Sequence, residues 1–341
     1  MLLRRVCMLF LGLSLAACGP VAQPPTSSTP SPGGGQRTGV ILAMPYIPNI
    51  QFAPYYVAKA RGYYAEAGID VTFDYQYETD SVQRVALGNA QFGLAGGDSV
   101  LLGRAQGLPI VTVATNSQRS PTVFFSKAEL GITTPADLKG KSVGIPGRFG
   151  ASYIGLLALL YANQISESEL NIQEIGFAQV QALSEGKIQV ASGYGNNEPI
   201  QQAQQGIQVN LVKVADFYAL ASDGLLTNET LIREQPGLVR EFVQATLRGM
   251  QDVISDPEIA FTLSLAEIPE LKSADAATQQ LQRQVLQETL PYWQSAETAA
   301  NGLGYIDEDS WQATHTFLRA SGLLTSDVDV KAAFTNQFIA K

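Results

Sequence analysis

Short apolar runs of strand length alternate with helical stretches over most of the chain. Residues 40–44 form the first run, and Pro45 and Pro48 end it. Residues 53–64 suit a helix with Pro54 in its first turn. Residues 69–73 form the next run, introduced by Gly68. The rhythm repeats with a helix over 82–87 closed by Gly88, a strand over 92–95 and another over 110–114. Between those two strands, Gly96-Gly97-Asp98-Ser99 reads as a turn, with Asp98 or Ser99 as N-cap of a following helix. A second unit of the same kind starts near Pro121. Its strands are predicted over 123–126, 142–145, 172–175, 190–193 and 209–214, with helices after Thr134, over 153–163 and near 177–185. From Asn228 the pattern turns helical. Leu238, Phe242, Ala245 and Leu247 roughly follow one stripe, a further helix stops near Pro291, and a last one has Asp309 or Ser310 as its expected cap. Alternating strands and helices predict an α/β fold, and residues 39–341 are enough for two lobes.

The N-terminus has a different pattern. Arg4 and Arg5 precede a mostly apolar stretch over 6–15, followed by Ala16, Ala17 and Cys18. This is shorter than the roughly 20 apolar residues a membrane-spanning helix needs, and it reads as an export signal. Leu15-Ala16-Ala17-Cys18 resembles the lipobox of bacterial lipoproteins, which implies cleavage before Cys18 and lipid on that cysteine. Residues 19–38 hold five prolines, several Ser and Thr and three consecutive glycines, the composition of a flexible tether. The expectation is a domain anchored by lipid to the extracytoplasmic face of the cell membrane.

Charge and chemistry narrow the function. The formal net charge is −9, and loss of Arg4 and Arg5 with the leader makes the remainder more acidic still. That disfavours nucleic acid as a partner. The two cysteines, Cys7 and Cys18, both lie in the leader region, so neither a disulfide nor a Cys/His zinc site is expected. The lone His315 falls in a predicted helix, and no Gly-x-Ser-x-Gly elbow accompanies it. Neither an enzyme nor a catalytic cofactor is expected.

Four stretches carry a resemblance: PNIQFAPYYVAKARGYYAEAGIDV (48–71), ALGNAQFGLAGGDSV (86–100), ADLKGKSVGIPG (136–147) and NNEPI (196–200). Together they resemble the substrate-binding proteins of ABC importers, in the group that binds thiamine pyrimidine precursors, sulfonates and riboflavin. The resemblance implies a two-lobed periplasmic-binding-protein fold of type II with two crossings. It also implies ligand closure between the lobes and delivery to a permease with a cytoplasmic ATPase. The expected division is lobe 1 over 39–118 and 225–341, and lobe 2 over 119–224. Fungal relatives make the thiamine pyrimidine from a histidine and a pyridoxal cofactor, using a cysteine-rich motif. This chain has no cysteine after Cys18.

In α/β folds, loops beyond strand ends hold ligands. Tyr46, Asn49 and Phe52 follow the first strand. Asp98 and Ser99 follow the third. Arg148 and Tyr153 belong to GRFGASY, where a helix start could receive an anion, though a plain strand-to-helix connection accounts for the stretch better. Tyr194, Asn196, Asn197 and Glu198 follow a later strand, and in the family a Glu-Pro at that point borders the cleft. Tyr75, Tyr77, Asn116 and Tyr218 are weaker candidates. Tyrosines near strand ends and neutral amides suit a flat, partly polar ligand. Riboflavin is the expected transported ligand, with a thiamine pyrimidine precursor as the alternative and a ligand-sensing surface lipoprotein as another.

Overall fold

The computed structural model of the protein describes residues 37–340. The expected leader, Cys18 and nearly all of the expected tether lie outside the described residues. Thr38, assigned above to the tether, already pairs with Ile69 in the first sheet.

Ten strands form two five-stranded sheets. The first contains β1 (Thr38–Met44), β2 (Ile69–Tyr75), β3 (Phe92–Gly96), β4 (Ile110–Thr115) and β10 (Asp223–Asn228), in the order β2-β1-β3-β10-β4. The second contains β5 (Thr122–Lys127), β6 (Ser142–Ile145), β7 (Asn171–Glu174), β8 (Val190–Tyr194) and β9 (Val209–Lys213), in the order β7-β6-β8-β5-β9. The chain crosses between the sheets over 116–121 and returns over 217–222. The first strand after each crossing runs antiparallel to its neighbours: β5 to β8 and β9, and β10 to β3 and β4. The sequence reading missed β10 altogether, because it placed nothing but helices after the second crossing.

Helices α1 (Ala53–Ala60), α2 (Tyr63–Glu66), α3 (Glu78–Ala86) and α4 (Gly97–Ala105) belong with the first sheet. The single helix expected over 53–64 is broken at Gly62, which sits at φ 80 between α1 and α2. Helices α5 (Gly150–Ala162), α6 (Gln179–Ser184) and α7 (Glu198–Gln204) accompany the second sheet. The C-terminal part supplies α8 (Glu229–Glu234), α9 (Pro236–Ser255), α10 (Pro257–Ser264), α11 (Pro269–Lys272), α12 (Ala276–Thr289), α13 (Ala296–Asn301) and α14 (Glu308–Ala320). Phe242 and Ala245 of α9 are buried, and Gly249 lets the helix lie close against Pro54 and Ala58 of α1, where a Cβ would collide with backbone. The N-cap of α14 is Asp307, whose carboxylate accepts from Asp309 N and Ser310 N, in place of the expected Asp309 or Ser310.

The cores are separate around each sheet. Leu42, Phe92, Leu225 and Phe242 pack on one face of the first sheet, while Phe124, Val143, Leu159 and Val190 pack on the second. Ile154 and Ala158 of α5 join the cluster of Trp311 and Phe317, so α5 also packs toward the first sheet's side. Among the described residues, no helix is long and apolar enough to cross a membrane.

Candidate ligand-binding cleft

The strand ends of both sheets converge on one cavity between them. Its walls come from the loop after β1, the starts of α4, α5 and α7, both crossings, Thr289 at the end of α12 and Trp293 just beyond it. About 170 Å³ is open to the centres of water molecules. One water needs about 10–15 Å³ by that measure, so the space suits a multi-ring organic molecule better than a single ion.

The charged lining is entirely acidic. Glu78, Asp98, Glu198 and Asp223 face the cavity, and among the described residues no lysine, arginine or histidine lines it. Glu78 Oε1 accepts from Gly96 N at 2.9 Å and from the Ser99 hydroxyl at 2.6 Å. Its Oε2 also lies beside Gly150, at the start of α5 on the opposite wall. One carboxylate thus stands near two helix starts, where free N–H groups and the helix dipole favour an anion. Asp98, 4% exposed, sits in the first turn of α4, and its Oδ2 has no partner. Burial, reinforced by the neighbouring Glu78, pushes its pKa up to about 7. Burial also raises Glu198, although Tyr194 N donates to its Oε2 at 2.7 Å. At the crossings, Tyr55 Oη donates to Asn116 Oδ1 at 2.6 Å, and Asn116 Nδ2 donates to Asp223 Oδ2 at 3.2 Å. Both links of the chain are therefore held to each other and to α1.

The mouth is aromatic. Tyr46 meets Phe177 edge-on at 4.9 Å, Tyr77 stacks on Phe177 at 5.7 Å, and Tyr77 meets Phe149 edge-on at 5.6 Å. Tyr46 and Tyr77 come from the first sheet's side, Phe149 and Phe177 from the second. Deeper in, Asn196 is 3% exposed. Its Nδ2 donates to Thr289 Oγ1 at 2.7 Å, while its Oδ1 is unpartnered. The Thr122 hydroxyl, also lining the cavity, is unpartnered too. Unpaired buried polar atoms are costly. Three of them around one cavity mark where a ligand's polar groups would be held.

Seven of the ten candidates come together here: Tyr46, Phe52, Asp98, Tyr194, Asn196, Asn197 and Glu198. Three do not. Asn49 turns its side chain back to accept from Gln51 N and cap a 3-10 turn. Ser99 spends its hydroxyl on Glu78, behind the wall. Tyr153 bonds Arg148 and Glu167 on the outer face. The expected cap of α4 is also corrected: the N-cap is Gly96, with no side-chain bond, and Asp98 and Ser99 lie inside the first turn. Of the weaker candidates, Tyr77 and Asn116 line the cavity, whereas Tyr75 bonds Tyr56 and Tyr218 bonds the Ala313 carbonyl. Sequence reasoning missed Glu78, Phe149, Phe177 and Asp223. Phe149 lay inside a loop already singled out. Glu78 offered only the acidic first turn of an ordinary helix.

The sequence profile of the NMT1/THI5-like family matches residues 49–260. Over 326 residues the chain is 50% identical to the riboflavin-binding protein RibY of Chloroflexus aurantiacus, covering 95% of this chain and 91% of that one. It is 26% identical over 302 residues to a formylaminopyrimidine-binding protein of Halalkalibacterium halodurans, covering 87% and 89%. The solved alkanesulfonate-binding protein SsuA of Xanthomonas axonopodis pv. citri, bound to MOPS, matches with a TM-score of 0.68 at 14% identity, over 89% of this chain and 99% of that one. This last likeness is one of fold, the two-lobed periplasmic-binding-protein architecture of type II. With the profile spanning both sheets and half the residues shared with one relative along nearly the whole chain, the protein belongs to the NMT1/THI5-like family.

Proposed function

We propose that this protein captures riboflavin between its two lobes and delivers it to a membrane permease driven by a cytoplasmic ATPase. The observation that carries the ligand is the 50% identity to a protein named for riboflavin binding. The cavity is chemically suited to it. Aromatic rings at the mouth can stack on isoalloxazine. Asp98 Oδ2 and Asn196 Oδ1 are acceptors awaiting donors such as a ring N–H or ribityl hydroxyls. An acidic lining without a cation is a poor receptor for a sulfonate. Contact residues are proposed as Tyr46, Phe52, Asp98, Tyr194, Asn196, Asn197 and Glu198, joined by Tyr77, Phe149 and Phe177. The lobes are proposed as 39–118 with 225–341, and 119–224, closing about the two crossings. Cys18 is proposed as the lipidated anchor on the extracytoplasmic face of the membrane.

The 26% identical formylaminopyrimidine-binding relative supports a second reading, a smaller aminopyrimidine. Pyridoxal-dependent synthesis of such a pyrimidine is not supported: among the described residues the lining offers no lysine for a Schiff base, no histidine and no cysteine. These are the materials of a binding site and not of a catalyst. Titration of ligand-free protein into riboflavin, followed by flavin fluorescence, tests the proposal. Quenching with saturation at micromolar flavin is expected. Absence of quenching and heat, alongside binding of an aminopyrimidine, would replace riboflavin with the smaller ligand.

A further inference from the structure

A second depression lies beside the main cavity. Tyr46, Phe177, Gln179 and Glu198 line both spaces, so the two meet at the Tyr46–Phe177 edge contact. The outer space is walled by Gln181 and Ser184 of α6, Glu185 just beyond it, and Gln201 of α7 with Gln205 at its end. Much of its amide capacity is unspent. Gln181 Nε2 donates to Glu185, and Gln201 Nε2 donates to Asn197 Oδ1, with no hydrogen bond drawn to either carbonyl oxygen. Gln179, 5% exposed at the junction, makes no side-chain hydrogen bond among the described residues. Neutral amides that both donate and accept match hydroxyl groups, which do the same. The nearby cations are committed elsewhere. Lys187 pairs with Glu185 at 2.6 Å, Lys127 donates to the Ser184 carbonyl, and neither lines the depression.

We propose that this amide-lined annex holds a hydroxylated chain carried by a ring seated in the main cavity, and that it selects a tail ending in a neutral hydroxyl over one ending in a phosphate. The proposal rests on the flavin reading above and adds its orientation and specificity. The tail leaves the main cavity beside the Tyr46–Phe177 contact, where Gln179 and Glu198 line both spaces, and lies along Gln181 and Gln201. A terminal phosphate dianion there stands beside Glu185 and Glu198 with no cation among the described lining residues, so it meets like charge without gaining an ionic partner. Selection thus comes from a repulsive element as well as from attractive ones.

Fluorescence titrations of the full chain with riboflavin, flavin mononucleotide and lumiflavin, which has the ring without the tail, test this. Lumiflavin is expected to bind about tenfold more weakly than riboflavin, for lack of tail contacts. Flavin mononucleotide is expected to bind about tenfold or more weakly, with a gap that narrows as salt screens the carboxylates. Glu185→Lys should shrink the gap between riboflavin and flavin mononucleotide and leave the lumiflavin affinity unchanged. Each comparison is a ratio within one protein sample, so a partly unfolded variant does not obscure it. Flavin mononucleotide binding as tightly as riboflavin, or lumiflavin doing so, would overturn the annex. Failure of riboflavin and lumiflavin alike, with an aminopyrimidine bound, would instead remove the flavin reading and the annex with it.

Discussion

The starts of α4 and α5 look alike in sequence and behave in opposite ways. Each follows a short strand and begins on a glycine, α4 directly after β3 and α5 after a short loop, and each carries one charge near the helix start: Asp98 at α4 and Arg148 at α5. Asp98 turns inward, is almost wholly buried and faces the cavity. Arg148 turns outward, donates to Glu167 and Tyr153, and lies 3.6 Å from Glu174. The helix dipole gives the reason. A helix N-terminus favours a carboxylate and disfavours a guanidinium, so Asp98 stays against its own first turn while Arg148 leaves for carboxylates on the surface. The start of α5 instead has the Glu78 carboxylate beside it, from across the cleft. The charge that the sequence offered for an anionic ligand is therefore spent outside the site, and the acid is kept within.

The strongest way to break this contrast is Glu78→Ala. It removes the acceptor shared by Gly96 N and the Ser99 hydroxyl, and with it the carboxylate beside the start of α5. A loss of about 2–4 kcal/mol in unfolding free energy is expected from urea titration. A loss below about 1 kcal/mol would show that the two helix starts do not depend on it.

Next in size is the pH dependence carried by Asp98. Its pKa is raised in the folded state from 3.8 to about 7, so the folded chain holds this proton more tightly than the unfolded chain. The favourable contribution is then complete below about pH 4 and is lost as pH rises through about 7. Asp98→Asn should stabilise the ligand-free protein by about 1–3 kcal/mol at pH 8 and by little at pH 4. Melting temperatures across that range decide it. Equal effects at both pH values would mean that Asp98 ionises as an ordinary surface acid.

Phe149→Ala sharpens the same comparison from the ligand side. Its ring points to the mouth while its neighbour Arg148 points away. Loss of a stacking partner should cost about 1–2 kcal/mol of flavin affinity by calorimetry. Arg148→Ala is the smallest expected effect. Its ion pairs are solvent-exposed, so stability should change by less than about 1 kcal/mol. Flavin affinity should stay within about twofold. A larger loss of affinity at Arg148 than at Phe149 would point to an anionic ligand and reverse the reading of both loops.

Parts of the cavity were legible because they stand on local rules. Tyr46, just past β1, and Tyr194, at the end of β8, were singled out at strand ends, where α/β sheets present groups to a ligand, and both line the cavity. Asn49 stood in the same kind of place and was misread, because an Asn side chain also satisfies a nearby backbone N–H, and here it caps a turn. Ser99 and Tyr153 failed for a related reason. Each found a carboxylate partner, Glu78 or Glu167, that sequence spacing does not reveal. Asp223 escaped notice with the whole of β10. Its neighbour in space, Asn116, lies 107 positions earlier in the chain.

Hydrophobic periodicity by itself determined the alternation of strands and helices, the two-unit division of the α/β part, and the contrast between that part and the proline-rich N-terminus. These follow from interactions within a few residues: alternation in a strand, a repeating stripe on a helix, and the stiffness of proline. Only the tertiary structure decided that β5 and β10 run against their neighbours, that Glu78 stands between the starts of α4 and α5, and that Phe149 faces the mouth while Arg148 faces water. Periodicity says which side of an element is buried against its own sheet. Which loop ends then face each other across the cleft depends on two chain crossings and on partners a hundred residues away, and no local pattern carries that information.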